Sequence, residues 1–297
     1  MCFFSPMRPC TVCRAARSAA SALRSAASLL DSITAPLAAV RLDKVLSQHG
    51  YCARSEARQF LRRHEVTTGG PSSPPSPPLQ SGSSIVDPAA LLVDGAPLGD
   101  LPGVQLHLAM HKPPGAVCSH AEDEGATVFD LLPPSFLLRK PPLECVGRLD
   151  KGATGLLLFT QSGALNARLA APEARVGKEY VVRLAAPLSA PQFERAAALL
   201  RAGGLELADG GVARPAELLP AHAGDAAAGG AAVVRLRVSE GRHHLVRRLF
   251  GALGCSVVAL RREAVGGLRL DALGLAPGEW RALSRPQLEE LLSGDKV

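Results

Sequence analysis

No stretch of this 297-residue chain stays apolar long enough to cross a bilayer, so a helical membrane span is excluded and a soluble chain is expected. Neither GxGxxG nor GxxxxGK[ST] occurs, which leaves dinucleotide and P-loop phosphate chemistry without support. The seven cysteines (Cys2, Cys10, Cys13, Cys52, Cys118, Cys145, Cys255) are odd in number and follow no framework spacing. They are expected to be reduced thiols in an intracellular compartment. Cys10 and Cys13 form one CxxC pair with no second pair to complete four ligands, and the eight histidines show no ligand spacing, so no metal is expected. Acid is scarce at the start, where Asp31 is the only acidic residue before Asp43.

That first segment instead holds Arg8, Arg14, Arg17 and Arg24 among Ala and Ser. Arg-rich, Ser-rich and acid-poor is the composition of a transit peptide for a mitochondrion or chloroplast, expected over residues 1–40. Arginines interrupt the apolar block that a secretory signal needs. A basic tail that helps to bind RNA, in a cytoplasmic protein, is the other reading. Beyond it, 47% hydrophobic residues suffice for a real core, and the length suits one large and one small domain. Lys and Arg outnumber Asp and Glu by 33 to 27, an excess that suits a polyanion but also many organellar proteins.

From Arg41 the pattern is helical. Leu42, Val45 and Leu46 share a face, Gly50 can end the helix, and Ser55 is placed to cap a second one that buries Ala57, Phe60 and Leu61. Arg54, Arg58, Arg62 and Arg63 are left for solvent, as a phosphate-binding surface or simply a solvated face. Residues 69–84 are a Pro/Ser/Gly stretch, read as a disordered insertion before LLVDGAPL supplies a Val-Asp-Gly turn. Further along, LHLAMHKPPG alternates like a strand ending in a turn, and a larger domain is expected to open near Val104 and run to 293. QSGALNARLA and PQFERAAALLRAG read as helices, with Gly203 ending the latter. KEYVVRLAAP and GGAAVVRLRVSEG read as strands, and HHLVRRLFGALG as a helix with Val246, Leu249, Phe250 and Leu253 on one side. Strands and helices in this order indicate an α+β fold.

The segment GRLDKGATGLLLFTQSG, residues 147–163, carries the chemistry. Arg148 and Asp150 lie two apart, so in extended backbone they share a face at the head of an apolar strand. A carboxylate there is expensive to bury unpaired, which makes it either a structural ion pair or a functional group.

Several stretches then match a known family in order. GRLDKGATGLLLF resembles the G-R-L-D-x-x-T-x-G-L-L segment of the RsuA/RluB-type pseudouridine synthases. HKPPGAVCS is similar to their N-K-P-x-G-x-V-C-S turn, KEYVV to K-x-Y-x-V, and residues 239–283 to their C-terminal block, with the small-subunit RsuA-type branch the nearer. RLDKVLSQHGYCARSEARQFLRRHEV resembles the RNA-binding domain named after ribosomal protein S four. The resemblance implies an S-four-like domain over 41–103, then a catalytic domain over 104–293 with a mixed, largely antiparallel sheet and flanking helices. It implies an enzyme that isomerises uridine to pseudouridine in ribosomal RNA, acting as a monomer without a cofactor. Asp150 would be the catalytic carboxylate, acting as nucleophile or as base on the ribose. Tyr180 would pack on the flipped uracil and Arg247 would pair with Asp150, while Lys178 and Arg148 would serve phosphate contact and loop structure. The chain departs from the pattern at Gly152 and Ala153, where the family often has Asp-Thr, and at Leu245, where an amide hydrogen bond is lost. Those departures keep two alternatives open, a catalytically silent ribosome-assembly factor and a large-subunit rRNA enzyme.

Overall fold

The computed structural model describes residues 28–31, 40–69, 75–98, 105–120, 125–222, 225 and 232–293. The expected transit segment lies outside them except for residues 28–31 and 40, and so does the expected boundary near Val104. The described elements are mixed helices and strands, so the fold is α+β as the sequence indicates.

A short strand, β1 (Val40–Arg41), runs directly into helix α1 (Leu42–Gln48), whose Leu42, Val45 and Leu46 are fully buried. A 3₁₀ turn over Arg54–Glu56 precedes α2 (Ala57–Phe60). Ser55 sits inside that turn rather than capping the helix; the Glu56 carboxylate instead accepts from the Ala53 amide at 3.0 Å. Strands β2 (Val66–Thr68), β3 (Ile85–Val86), β4 (Leu91–Val93) and β5 (Ala96–Pro97) follow. β1 pairs with β3, and β2, β4 and β5 form a three-stranded sheet. Asp94 and Gly95, with φ of 50° and 78°, make the tight turn between β4 and β5 that the Val-Asp-Gly sequence calls for.

The expectation of disorder over 69–84 does not hold for residues 75–84. The Ser76 amide donates to the Thr68 carbonyl and the Leu79 amide to that of Val66, while the Ser84 and Gly82 carbonyls accept from Leu42 and Asp43. Proline lacks a donor but not an acceptor, and the non-proline residues between supply the bonds that dock this stretch on β2 and α1.

In the larger part, β6 (His107–Lys112) is followed by α3 (Pro134–Leu137), β7 (Glu144–Val146), β8 (Thr154–Thr160), α4 (Gly163–Ala170), β9 (Lys178–Leu184) and α5 (Ala190–Ala202). Then come β10 (Ala216–Pro220), β11 (Val233–Val238), α6 (Leu245–Ala252), β12 (Val257–Val265), β13 (Leu268–Arg269), α7 (Leu270–Leu273), β14 (Trp280–Ala282) and α8 (Arg285–Ser293). The nine-stranded sheet has the order β10-β11-β9-β12-β8-β6-β14, with β13 on β12 and β7 on β8. Among the described strand pairings only β8–β12 is parallel. The run Leu156–Phe159 reads apolar throughout because β8 is covered on both faces. Leu157 and Phe159 pack in one core with residues of α5 and α6, whereas Leu156 and Leu158 pack in the other with Leu165, Leu169, Leu288 and Leu291.

Two sets of contacts tie the smaller unit and the segment around Leu30 to this body. Gly50 (φ +80°) faces α3, where a Cβ would come within 2.5 Å of the Ser135 carbonyl oxygen, and the Lys140 amide donates to the Ser47 carbonyl at 3.1 Å. Burial, with the Arg139 charge adding to it, pushes His49 down to about 4, so its neutral ring can accept from the Arg139 guanidinium at 3.5 Å. Leu30 joins the cluster of Leu288 and Leu291, and Arg285 donates to Asp31 at 2.6 Å.

Gly155 opens β8 at φ +107°, directly opposite Arg262 of β12. A Cβ there would overlap the Arg262 backbone carbonyl and amide. Gly155→Ala should therefore destabilise the fold by about 3 kcal/mol or more, combining a steric overlap with a disfavoured φ. Denaturant unfolding checks it; a loss under about 1 kcal/mol would mean that the strands separate easily.

Candidate active site

The site begins with a buried ammonium. Lys112, at the end of β6, is fully buried, and its Nζ donates to the carbonyls of Pro113 (3.0 Å), Lys151 (3.2 Å) and Ala153 (2.9 Å). Burial pulls its pKa down, against the opposing pull of Cys118 and Asp150. Two of the three acceptors belong to the turn between β7 and β8, which Gly147 enters at φ +68°. The Gly115 amide donates to the Lys151 carbonyl at 2.8 Å and the Ala153 amide to that of Asp150 at 3.0 Å. The loop that carries Asp150 is thus fixed through its backbone, and the carboxylate is left to face outward.

Its neighbours come from the start of α6. His244 Nε2 lies 3.4 Å from Asp150 Oδ1, and Arg247 Nε lies 3.5 Å from Oδ2. Arg247 is itself anchored by donating to the Val257 carbonyl at 2.8 Å. His244 adopts a left-handed backbone (φ 53°) and stacks on His243 with ring centroids 3.6 Å apart, which aims its imidazole at the carboxylate. Both contacts are longer than the roughly 2.7–2.9 Å of a charge-assisted hydrogen bond. They orient Asp150 and leave its oxygens able to engage another group. Arg148 lines the same rim but is not an ion-pair partner of Asp150, so the pair that sequence spacing allowed does not form among the described residues.

Asp150 borders a pocket of about 520 Å³, including its open mouth, shared with Lys178, Tyr180, Arg242, His244 and Arg262. Strand alternation puts Lys178 and Tyr180 on this side of β9 and sends Glu179 to the other, where it meets Arg235 (2.5 Å) and Arg237 (3.1 Å). Tyr180 is 8% exposed and packs in the main core, so its ring is a fixed wall. Burial, then the nearby Arg262 charge, lowers Lys178 to about 8. A wider depression of about 950 Å³ lies across Asp150, bounded by Arg148, Lys151 and Cys118. There the Cys145 thiol, then the Leu149 backbone and the Lys112 and Arg262 charges, draw Cys118 below the ordinary thiol range against its burial, while Cys145 is pushed up.

The structure therefore gathers Asp150, Tyr180, Arg247, Arg148 and Lys178 in one place. Arg54, Arg58, Arg62 and Arg63 are exposed on the smaller unit and line none of these depressions. Arg54 is partly engaged by Asp43 at 3.4 Å. Sequence reasoning missed Lys112, His244 and Arg262. For Arg262 a signal existed: it lies two residues after Leu260 on β12, so the two share a face and both line the pocket, whereas the irregularity after Arg262 pairs Ala264 with Glu179. Two of the departures from the family pattern, Ala153 and Leu245, are packed in the main core, and the third, Gly152, stands in open space where a Cβ would meet nothing.

A sequence profile described as RNA pseudouridylate synthase matches residues 106–252. An RNA pseudouridine synthase of Aquifex aeolicus (strain VF5), itself called uncharacterized, is 34% identical over 255 residues, which are 85% of this chain and 96% of that protein. This chain belongs to the RNA pseudouridine synthases. The ribosomal small subunit pseudouridine synthase A of Escherichia coli (strain K12) is 32% identical over 262 residues, 85% of this chain and all of that one, which places the synthase in the RsuA-like family. A crystal structure of a pseudouridylate synthase covers 85% of the chain and 99% of its own at a TM-score of 0.53 and 29% identity.

Because its pKa is lowered to about 8, Lys178 would make RNA binding sensitive to alkali through a phosphate contact. Its charge is present below about 8 and lost above it, and a phosphate brought against the ammonium would move that loss upward. RNA affinity should thus weaken between about pH 7 and pH 9, with a log–log salt slope falling by up to about one unit. Lys178→Met should bind less tightly at pH 7 and lose the pH dependence. Equal pH profiles for the two proteins would remove Lys178 from the RNA contact.

Proposed function

We propose that this synthase converts one uridine of small-subunit ribosomal RNA to pseudouridine inside an organelle, with Asp150 as the reacting carboxylate. The observation that carries the reaction is the Asp150 carboxylate held at 3.4 and 3.5 Å by His244 and Arg247, at the mouth of a pocket walled by Tyr180. A uridine in folded RNA reaches such a site by leaving its stack, and Tyr180 offers a flat face to receive it. The bond from C1′ to N1 breaks, the uracil turns, and C1′ bonds to C5. The proton leaves C5 and N1 gains one, so atoms and electrons balance within the substrate. Asp150 takes part as nucleophile at C1′ or as base on the ribose. The ribosomal substrate is supported by the match along the full length of the E. coli small-subunit enzyme. The smaller unit, read as an S-four-like domain, contributes phosphate contacts through Arg58, Arg62 and Arg63, which meet no carboxylate among the described residues.

Asp150→Asn keeps the side chain's size and removes its ability to attack or accept a proton. Pseudouridine formation in small-subunit rRNA should fall at least about 10³-fold, while unfolding midpoint and RNA affinity stay near wild type. Turnover by the variant would remove Asp150 from its role. Modification confined to large-subunit rRNA would replace the substrate, and no modification by the wild type would favour the silent assembly factor.

The organellar reading rests on the acid-poor start. A removable leader would end before Ser28, because Leu30 and Asp31 dock against α8 in the folded enzyme. Residues 1–27 fused to a fluorescent reporter should carry it into an organelle. Deleting residues 1–27 should leave stability unchanged, whereas deleting 1–39 should lower it. A cytosolic reporter would favour the basic-tail reading.

A further inference from the structure

We infer that Arg262 reads the target base, its buried guanidinium donating to a carbonyl oxygen of the extruded uracil. The inference rests on the Asp150 pocket being the reaction site. Arg262 is a cation in an unusual position: it lies within strand β12, is 1% exposed, and is among the largest fully buried side chains. Its Nε donates to the Leu156 carbonyl at 2.7 Å, which fixes the plane of the group. Its Nη2 is buried and has no hydrogen-bond partner, and no carboxylate pairs with Arg262 among the described residues. A buried donor left unsatisfied is costly, more so when charged. The same residue lines the pocket that holds Asp150 and Tyr180, so the missing acceptor can arrive there with the substrate.

The geometry favours a base over a phosphate. Arg262 and Tyr180 are directly paired residues on adjacent antiparallel strands and face the same pocket. A base lying on the Tyr180 ring presents its edge sideways, toward the cross-strand neighbour. Uracil offers two carbonyl oxygens on its edges, whereas a phosphodiester stays with the backbone at the more exposed end. If the oxygen is O4, the contact also rejects cytosine, whose amino group at that position is a donor and would face another donor.

The test measures single-turnover rates on one rRNA fragment carrying uridine, 2-thiouridine or 4-thiouridine at the target position. Sulfur is a poor acceptor, so one of the two thio substrates should slow the wild type by about 10–100-fold, and which one identifies the oxygen. In Arg262→Gln the uridine rate should fall comparably and the thio effect should shrink toward unity, the non-additive pattern of two groups in contact. Arg262→Lys, which keeps the charge without the planar fork, should lie between. Two results overturn the inference: neither thio substrate slows the wild type, or the thio effect persists at full size in a folded Arg262→Gln. Circular dichroism establishes folding, and if neither variant folds, the wild-type comparison decides alone. A wild type that isomerises uridine while failing these criteria leaves the proposed function standing. One that isomerises no rRNA uridine overturns that function and this inference with it.

Discussion

The Lys112 ammonium directs its three protons at backbone carbonyls, and the rest of the site follows from that placement. Two of those carbonyls belong to the turn that carries Asp150, so the backbone at Asp150 is set from β6, and His244 and Arg247 then orient its carboxylate. Lys112 also stands opposite Gly155 in the β6–β8 pairing. Because Gly155 has no side chain, β12 can approach β8 in parallel, and that approach brings Arg262 under the pocket. One buried cation, one missing side chain and one strand pairing thereby fix the relative positions of Asp150, Arg262 and Tyr180. The energetic logic is consistent: a charged group far from water is tolerable when every donor meets an oxygen.

The proposed function gives most of the phosphate contact to the smaller unit and the chemistry to the Asp150 pocket. The arginines of the smaller unit look into solvent, where charges attract phosphates at long range and hold little sequence information. The pocket instead has walls from the sheet and from the start of α6, both packed in the main core. Rigidity there comes from strands, which hold side chains more firmly in place than loops do. The contact of Ser47 and Gly50 with residues 135–140 links the two surfaces.

Much of this is legible in the sequence. The run Leu156–Phe159 announces a strand covered on both faces, the Asp94–Gly95 pair a tight turn, and PQFERAAALLRAG a helix ending at Gly203. Asp150 stands out because a carboxylate heading an apolar run needs a reason. His244 does not, since its role depends on a left-handed backbone that no local pattern marks. Lys112 looks like an ordinary strand-end lysine because its partners are carbonyls, invisible in side-chain chemistry. Residues 75–84 mislead for a related reason: their composition is poor in apolar side chains, while their order comes from main-chain bonds to β2 and α1, the Ser76 hydroxyl on Thr68 and the single apolar anchor Leu79. Ser55 offers a capping hydroxyl, but Glu56 reaches the Ala53 amide.

The seating of Leu30 beside Leu288 and Leu291 also sets a sequence of events. The Asp31–Arg285 pair joins positions 254 residues apart, so the ribosome releases one half of the seam long before it makes the other. Until α8 emerges, the Leu288 and Leu291 half of that seam is missing and the segment around Leu30 lacks part of its cover. Once α8 arrives, the seam closes. The emergence of α8 thus acts as a clock on that segment, independent of any catalytic role the finished enzyme performs.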